Sequence, residues 1–177
     1  QGTITFPARF SLIASSNPCP CGYAGDTEKS CVCSPAHVLR YQRRISGPLL
    51  DRIDIHVHVP RVKVDHLTSS AESESSASIR ERVTAARARQ RARFTALKMP
   101  HTCNAEITSR DLKLCCPLEE SLQDFLRQAI SQFHMSARSY HRVLKVARTI
   151  ADLSSSDTIE MNHLAEALQY RPKSEEI

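Results

Sequence analysis

Four of the chain's seven cysteines form two C-x-C pairs, Cys19 with Cys21 and Cys31 with Cys33, within fifteen residues. Thiolates are good zinc ligands, and four of them can close a tetrahedral structural site. The C-x-C spacing is tighter than the commoner C-x-x-C, and His37 could replace one ligand. The alternatives are four free or buried thiols, or two disulfides. An odd cysteine total excludes complete pairing, and a tight cluster in a reducing cytosol suggests metal more than disulfides.

A second group of residues suits anions. Arg138 falls in the first turn of an expected helix, where the helix dipole disfavours a cation. An anion shared between that helix terminus and the guanidinium would resolve the conflict, as would solvent. Arg142, one turn later, is a lesser candidate. Upstream, Arg80, Arg82, Arg87, Arg89, Arg91 and Arg93 crowd one stretch with only Glu81 opposing them. Such a row is either a solvated face or a surface for nucleic acid, with Arg87, Arg91 and Arg93 as the candidate contacts.

The elements that must position these residues are legible from periodicity. Thr3 to Phe6 is a short β-like run, and Phe10 to Ser15 is a stronger apolar strand ending at Asn17-Pro18. After the cysteine-rich loop, Ser34 and Pro35 open a helix to about Ile45, which Gly47-Pro48 breaks. Ile53, Ile55, Val57 and Val59 alternate with Asp54, His56 and His58, the period of a strand with one buried face. The stretch from Val62 to Ser78 is polar and serine-rich, as a linker would be. A basic helix is expected from about Ser78 to Lys98, its stripe being Ile79, Val83, Ala86, Phe94 and Leu97. Beyond Pro100 the chain reads as helical. The expectations are a short helix over Ser109 to Leu114 and a longer one carrying Leu118, Leu122, Phe125, Leu126, Ala129, Ile130 and Phe133. A third is capped by Ser136, with Val143, Leu144, Ala147 and Ile150 inward. A fourth opens at Ser156 or Asp157, with Leu164, Ala167 and Leu168 inward. No internal repeat is visible.

Charge divides unevenly along the 177 residues. Residues 61–100 hold nine Lys/Arg against four Asp/Glu, which equals the whole net charge of +5. The middle of the chain therefore calls for an anionic partner, most simply nucleic acid. No apolar run approaches the ~18 residues of a membrane span, and the start lacks a signal-peptide core. The expectation is a cytoplasmic protein without a membrane partner.

Three stretches carry a resemblance. They are Phe-Pro-Ala-Arg-Phe-Ser-Leu-Ile-Ala-Ser-Ser-Asn-Pro-Cys-Pro-Cys-Gly over 6–22, Arg-Ile-Ser-Gly-Pro-Leu-Leu-Asp-Arg-Ile-Asp-Ile-His-Val over 44–57, and Ser-Ala-Arg-Ser-Tyr-His-Arg-Val-Leu-Lys-Val-Ala-Arg-Thr-Ile-Ala-Asp-Leu over 136–153. In this order they resemble the magnesium-chelatase-like AAA+ ATPases of the competence protein ComM type. The resemblance implies an α/β segment followed by an all-α one. Residues 1–60 would be the C-terminal part of an AAA+ nucleotide-binding core, 61–100 a serine-rich linker and basic insertion helix, and 101–177 a helical lid.

It also implies roles. Asn17 matches sensor 1, where a neutral amide orients water beside a γ-phosphate without adding charge; the residues alone would also suit an Asn-Pro turn. Arg52, in Leu-Leu-Asp-Arg, matches an arginine finger, against the alternative of a structural ion pair with Asp51, Asp54 or another carboxylate. Arg138 matches sensor 2. The implied cofactors are ATP and Mg²⁺, and the implied assembly is a hexameric ring acting on DNA by ATP-driven branch migration during transformation. The chain contains no G-x-x-x-x-G-K-[ST] and no apolar strand ending in Asp-Glu, both of which the family carries upstream. The expectation is thus a C-terminal fragment of an ATPase that alone does not hydrolyse ATP. The rival readings are a stand-alone zinc-containing nucleic-acid-binding module and the motor subunit of a magnesium chelatase.

Overall fold

A computed structural model describes residues 3, 4, 6, 10–60, 62 and 73–172. The chain forms two compact units, Gln1–Arg44 and Ile45–Ile177. Residues 45–60 thus belong with the helical unit, not with the cysteine-rich one.

In the first unit, α1 spans Pro35–Gln42, with Ser34 as its N-cap and proline in its first turn. No residue of α1 is buried. Asn17 follows an extended, unpaired run from Phe10. The strands expected over 10–15 and 53–59 do not form: no strand occurs among the described residues. Thr5, in the first expected strand, lies outside them, as does most of the expected linker, 63–72. The reason is physical. A strand exists only as one rail of a ladder, and these segments meet no second rail. Their side chains accordingly stand in solvent, Ile13 at 94% and Val59 at 79% exposure.

The second unit is a helical bundle. Short α2 (Gly47–Leu50) restarts the chain after the Gly-Pro break. The basic helix α3 covers Ser76–Ala96 and is capped by Ser75, whose hydroxyl accepts from the Ser78 N–H at 3.2 Å. Only its C-terminal half packs. Ala86, Gln90 and Phe94, one turn apart, are buried, while Ile79, Val83 and Leu97 of the expected stripe are exposed. A 3₁₀ turn at Asn104–Glu106 and the short α4 (Leu112–Cys115) lead into α5 (Glu120–Gln132). The central helix α6 (Ala137–Leu153) begins where its cap was expected, with the Ser136 hydroxyl accepting from the Ser139 N–H. Its apolar face, including Val143, Leu144 and Ala147, meets Phe94, Leu126 and Leu164 in a single core.

The last helix, α7, spans Met161–Gln169 and starts later than expected. Ser155 and Ser156 close α6 instead of opening α7. Ser155 takes a left-handed φ of +61°, and the Ser156 N–H donates to the Ala151 carbonyl at 2.8 Å, the signature of a Schellman end. Glu160 then caps α7, its N–H donating to His163 Nδ1 at 3.0 Å. Lys98 and His134 end α3 and α5 by the same device, at φ +53° and +47°. None of the three is the glycine that usually marks such a turn, which explains why sequence places these boundaries poorly.

Among the described residues, no helix is long and apolar enough to cross a membrane.

Candidate functional site

In the first unit, the four cysteines converge. The sulfurs of Cys19, Cys21, Cys31 and Cys33 all lie within 4.8 Å of one another. Cys19 Sγ is 3.3 Å from Cys21 Sγ and 3.7 Å from Cys31 Sγ, and Cys21 and Cys31 are 3.5 Å apart. A disulfide would require about 2.05 Å, so all four are thiols. A tetrahedron with zinc–sulfur bonds of about 2.3 Å has edges of about 3.8 Å, close to what is present. His37 does not join the cluster; it is exposed on α1.

The local sequence makes this convergence possible. Gly22 and Gly25 take φ of +81° and +80°, which lets the chain double back around Cys19. The Gly22 N–H donates to the Cys19 carbonyl at 3.0 Å and the Ala24 N–H to its sulfur at 3.3 Å. Cys21 and Cys31 are shifted in opposite directions. The Tyr23 backbone N–H favours the Cys21 thiolate over the opposition of burial and brings it down to about 6. For Cys31, the Cys33 backbone N–H also favours the thiolate. Burial and the neighbouring Cys21 and Cys19 sulfurs outweigh it, leaving Cys31 at about 12. Ionising all four sulfurs at these distances would require a cation among them. Asn17, two residues before the first cysteine, is exposed.

In the second unit, the Leu-Leu-Asp-Arg stretch is locked to α6. Ser139 Oγ donates to Asp51 Oδ1 at 3.1 Å, and buried Arg142 donates to the Ile53 carbonyl at 2.7 Å and the Asp51 carbonyl at 3.3 Å. Arg142 also lies 3.9 Å from the Asp51 carboxylate. The guanidinium is thereby occupied by the protein itself. Arg52 is the next side chain along; it is exposed, with Nη1 donating to the Pro48 carbonyl at 2.5 Å. Asp51, one of the carboxylates in the alternative ion-pair reading of Arg52, is engaged by Ser139 and Arg142.

Arg138 lines a cleft of about 390 Å³ with His141, Arg142 and Lys145 of α6, together with Asp54 and Ser109. Positions 138, 141, 142 and 145 follow one helical face, so this basic stripe was available from spacing alone. His141 and Lys145 lie within the 136–153 stretch, but nothing in their residue types alone marks them as facing the same cleft as Arg138. His141 Nδ1 sits 3.2 Å from Ser109 Oγ, and Lys145 Nζ donates to the Ala105 carbonyl at 3.0 Å. The cleft has one carboxylate, Asp54, against three permanent cations, so it favours an anion.

The arginines of α3 do not act as one row. Arg93 turns into the bundle, where both its terminal nitrogens meet the Asp152 carboxylate and Nη1 also reaches Asn104 Oδ1 at 3.2 Å. Arg89 pairs with Asp157 at 3.1 Å and donates to the Ser155 carbonyl. Arg82 pairs with Glu74 at 2.7 Å. Arg87 is half-buried and donates to Gln90 Oε1 at 3.1 Å, while Arg80 and Arg91 are exposed.

Comparison with known proteins divides the chain farther along, between residues 67 and 73. The family model described as magnesium chelatase, subunit ChlI C-terminal, matches residues 73–171, and that described as magnesium chelatase, subunit ChlI, matches residues 1–67. The chain belongs to the magnesium chelatase ChlI family. Within it, the chain is a ComM-type member. It is 41% identical over 170 residues to competence protein ComM of Haemophilus influenzae, covering 95% of this chain and 32% of that protein. It is 41% identical to YifB of Escherichia coli over 97% of this chain and 32% of YifB. For Rv2897c of Mycobacterium tuberculosis the figures are 34%, 97% and 33%. The chain therefore spans about a third of the length of the curated relatives it matches. In this magnesium chelatase-like protein, α3 to α7 of the helical unit fall within the C-terminal family region, whereas residues 45–67 of that unit fall within the other family match.

Proposed function

We propose that this chain supplies the phosphate-sensing and subunit-coupling residues of an AAA+ ATPase ring that remodels DNA. The observation that carries the reading is the opposed fate of two neighbours. Asp51 is drawn onto α6 by Ser139 and Arg142, and Arg52 is left presented to solvent on a backbone that the same contacts hold. An exposed guanidinium on a fixed backbone is what a neighbouring subunit's nucleotide requires, since charge accumulates on phosphoryl oxygens in the transition state.

Arg138 in its basic cleft serves as sensor 2, contacting nucleotide phosphate from the same subunit. Asn17 serves as sensor 1 and orients the attacking water. The residues fit ATP with Mg²⁺ in so far as the cleft beside Arg138 favours an anion; the magnesium-bound triphosphate supplies the phosphoryl group. Arg142 acts by holding the Asp51–Ile53 backbone. The family supports α/β character for residues 1–60 when strands elsewhere in the protein pair with 10–15 and 53–59. The substrate class is DNA, for which the positive balance of residues 61–100 and the name of the competence-protein relative both argue. The overall reaction is ATP-driven branch migration by a hexamer.

Arg52→Ala tests the reading in the intact, assembled protein. ATP binding should persist while hydrolysis falls by on the order of 10³–10⁵, the range for such fingers. Mixing these subunits with subunits defective in phosphate binding should restore some activity, because an intact arginine then faces an intact pocket. Normal hydrolysis by an assembled Arg52→Ala ring would reduce Arg52 to a local hydrogen-bond donor.

A further inference from the structure

We infer that Cys19, Cys21, Cys31 and Cys33 bind one zinc ion as a tetrathiolate, and that this ion sets the position of Asn17. The first unit has little else to hold it. Among its described residues Cys19 is the one fully buried side chain, and α1 contributes nothing to a core. Its interior is a knot of sulfur. All four sulfurs lie within 4.8 Å of one another, near the edge length of a zinc tetrahedron, and beyond disulfide reach. Such an arrangement of bare thiols has no apolar packing to offset its conformational entropy, whereas metal binding contributes directly to folding.

The loop around the cluster is finished as a metal loop would be. Left-handed Gly22 and Gly25 wrap the backbone around Cys19, and the Ala24 N–H points at its sulfur from 3.3 Å. Outside this turn, Asp26 Oδ1 accepts from the Glu28 and Lys29 N–H groups at 2.7 and 2.9 Å, and Lys29 caps the Tyr23 ring at 4.2 Å. Four thiolates on Zn²⁺ leave a net charge of −2, which backbone N–H groups aimed at sulfur stabilise. Zinc suits the site because it accepts four sulfurs tetrahedrally and supplies no redox chemistry.

The tie to Asn17 is short. Pro18 follows it, and the Pro18 carbonyl accepts from Gln42 Nε2 of α1 at 3.3 Å. Cys19 comes next, at the centre of the cluster. The run before Asn17, from Phe10, is extended and exposed, so among the described residues the anchor of Asn17 lies on its cysteine side. Any consequence for catalysis rests on the reading of Asn17 as a phosphate-facing amide; the zinc does not.

The experiment uses the intact protein, purified under reducing conditions without chelator. Elemental analysis should give about one zinc per chain. Titration of the unaltered protein with an organomercurial should release that zinc as the fourth of four linked thiols is blocked, read with a chromogenic chelator. Cobalt substitution should give the visible ligand-field bands of a tetrahedral tetrathiolate, and Cys19→Ser and Cys33→Ser should abolish them. Amides of residues 16–24 should then exchange at least roughly tenfold faster, while those of α6 stay protected. Absence of stoichiometric metal, iron in place of zinc, or four independently reactive thiols would overturn the assignment. Unchanged exchange at residues 16–24 after zinc loss would overturn the tie to Asn17. Asn17→Ala separates the two readings: it should keep the zinc and lose hydrolysis, and zinc retained with normal hydrolysis sinks only the catalytic role.

Discussion

Asp152→Asn is a severe test of how the basic helix is held. The Asp152 side chain is 0% exposed and gathers donors from three elements. Arg93 of α3 meets both carboxylate oxygens, Arg148 of α6 approaches within 3.1 Å, and Asn104 of the 3₁₀ turn donates at 2.9 Å. Arg148 is itself 1% exposed; it also donates to the Asp157 and Ser156 carbonyls, and burial holds its proton less firmly than usual. Asparagine preserves the volume but removes the charge and turns a donor toward at least one of these donors. Two guanidinium groups then share a buried site with no anion. Removing one partner of a buried ion pair costs about 3–5 kcal/mol. For a helical unit of this size that is a drop in Tm of roughly 10–20 °C. The assay is thermal unfolding by circular dichroism. Arg93→Met alone should cost less, about 1–2 kcal/mol, because Asp152 keeps Arg148 and Asn104. The double variant should show coupling in a mutant cycle. An Asp152→Asn protein melting within about 2 °C of the parent would refute the accounting, since an unpaired buried charge cannot be that cheap.

Other outcomes follow from the same geometry. If Arg138 acts as proposed, Arg138→Ala should weaken nucleotide binding as well as hydrolysis in the intact protein, measured by calorimetric titration, because a sensor there would contact the ground-state phosphates; unchanged affinity would leave its basic lining without a ligand. Replacing Arg80, Arg87 and Arg91 by Gln should weaken DNA binding and flatten its salt dependence by about one phosphate contact per arginine lost. Arg93→Gln should instead act mainly on stability, so a selective loss of DNA affinity there would reverse the assignment of that arginine.

Much of the helical unit was open to inspection along the chain. Helices are local: hydrogen bonds run four residues back, and a serine three residues ahead of its partner can cap one. Ser136 and the inward faces of α5, α6 and α7 follow from spacing, and the crowding of the two C-x-C pairs within fifteen residues anticipates that their sulfurs converge. The ends of α3, α5 and α6 were obscured because Lys98, His134 and Ser155 adopt the left-handed turn usually given to glycine.

What tertiary structure alone decided concerns partners distant in sequence. Nothing local distinguishes Arg93, bound to Asp152 59 residues away, from Arg91 two positions earlier, which is exposed. Asp51 and Arg52 are adjacent, yet a serine and an arginine 88 and 91 residues downstream fasten the first and leave the second presented. The alternating run at 53–59 has the right period for a strand, but period specifies only which side chains share a face. A ladder needs a second backbone, and burial needs a surface to cover that face; both are properties of the assembled chain, not of the segment.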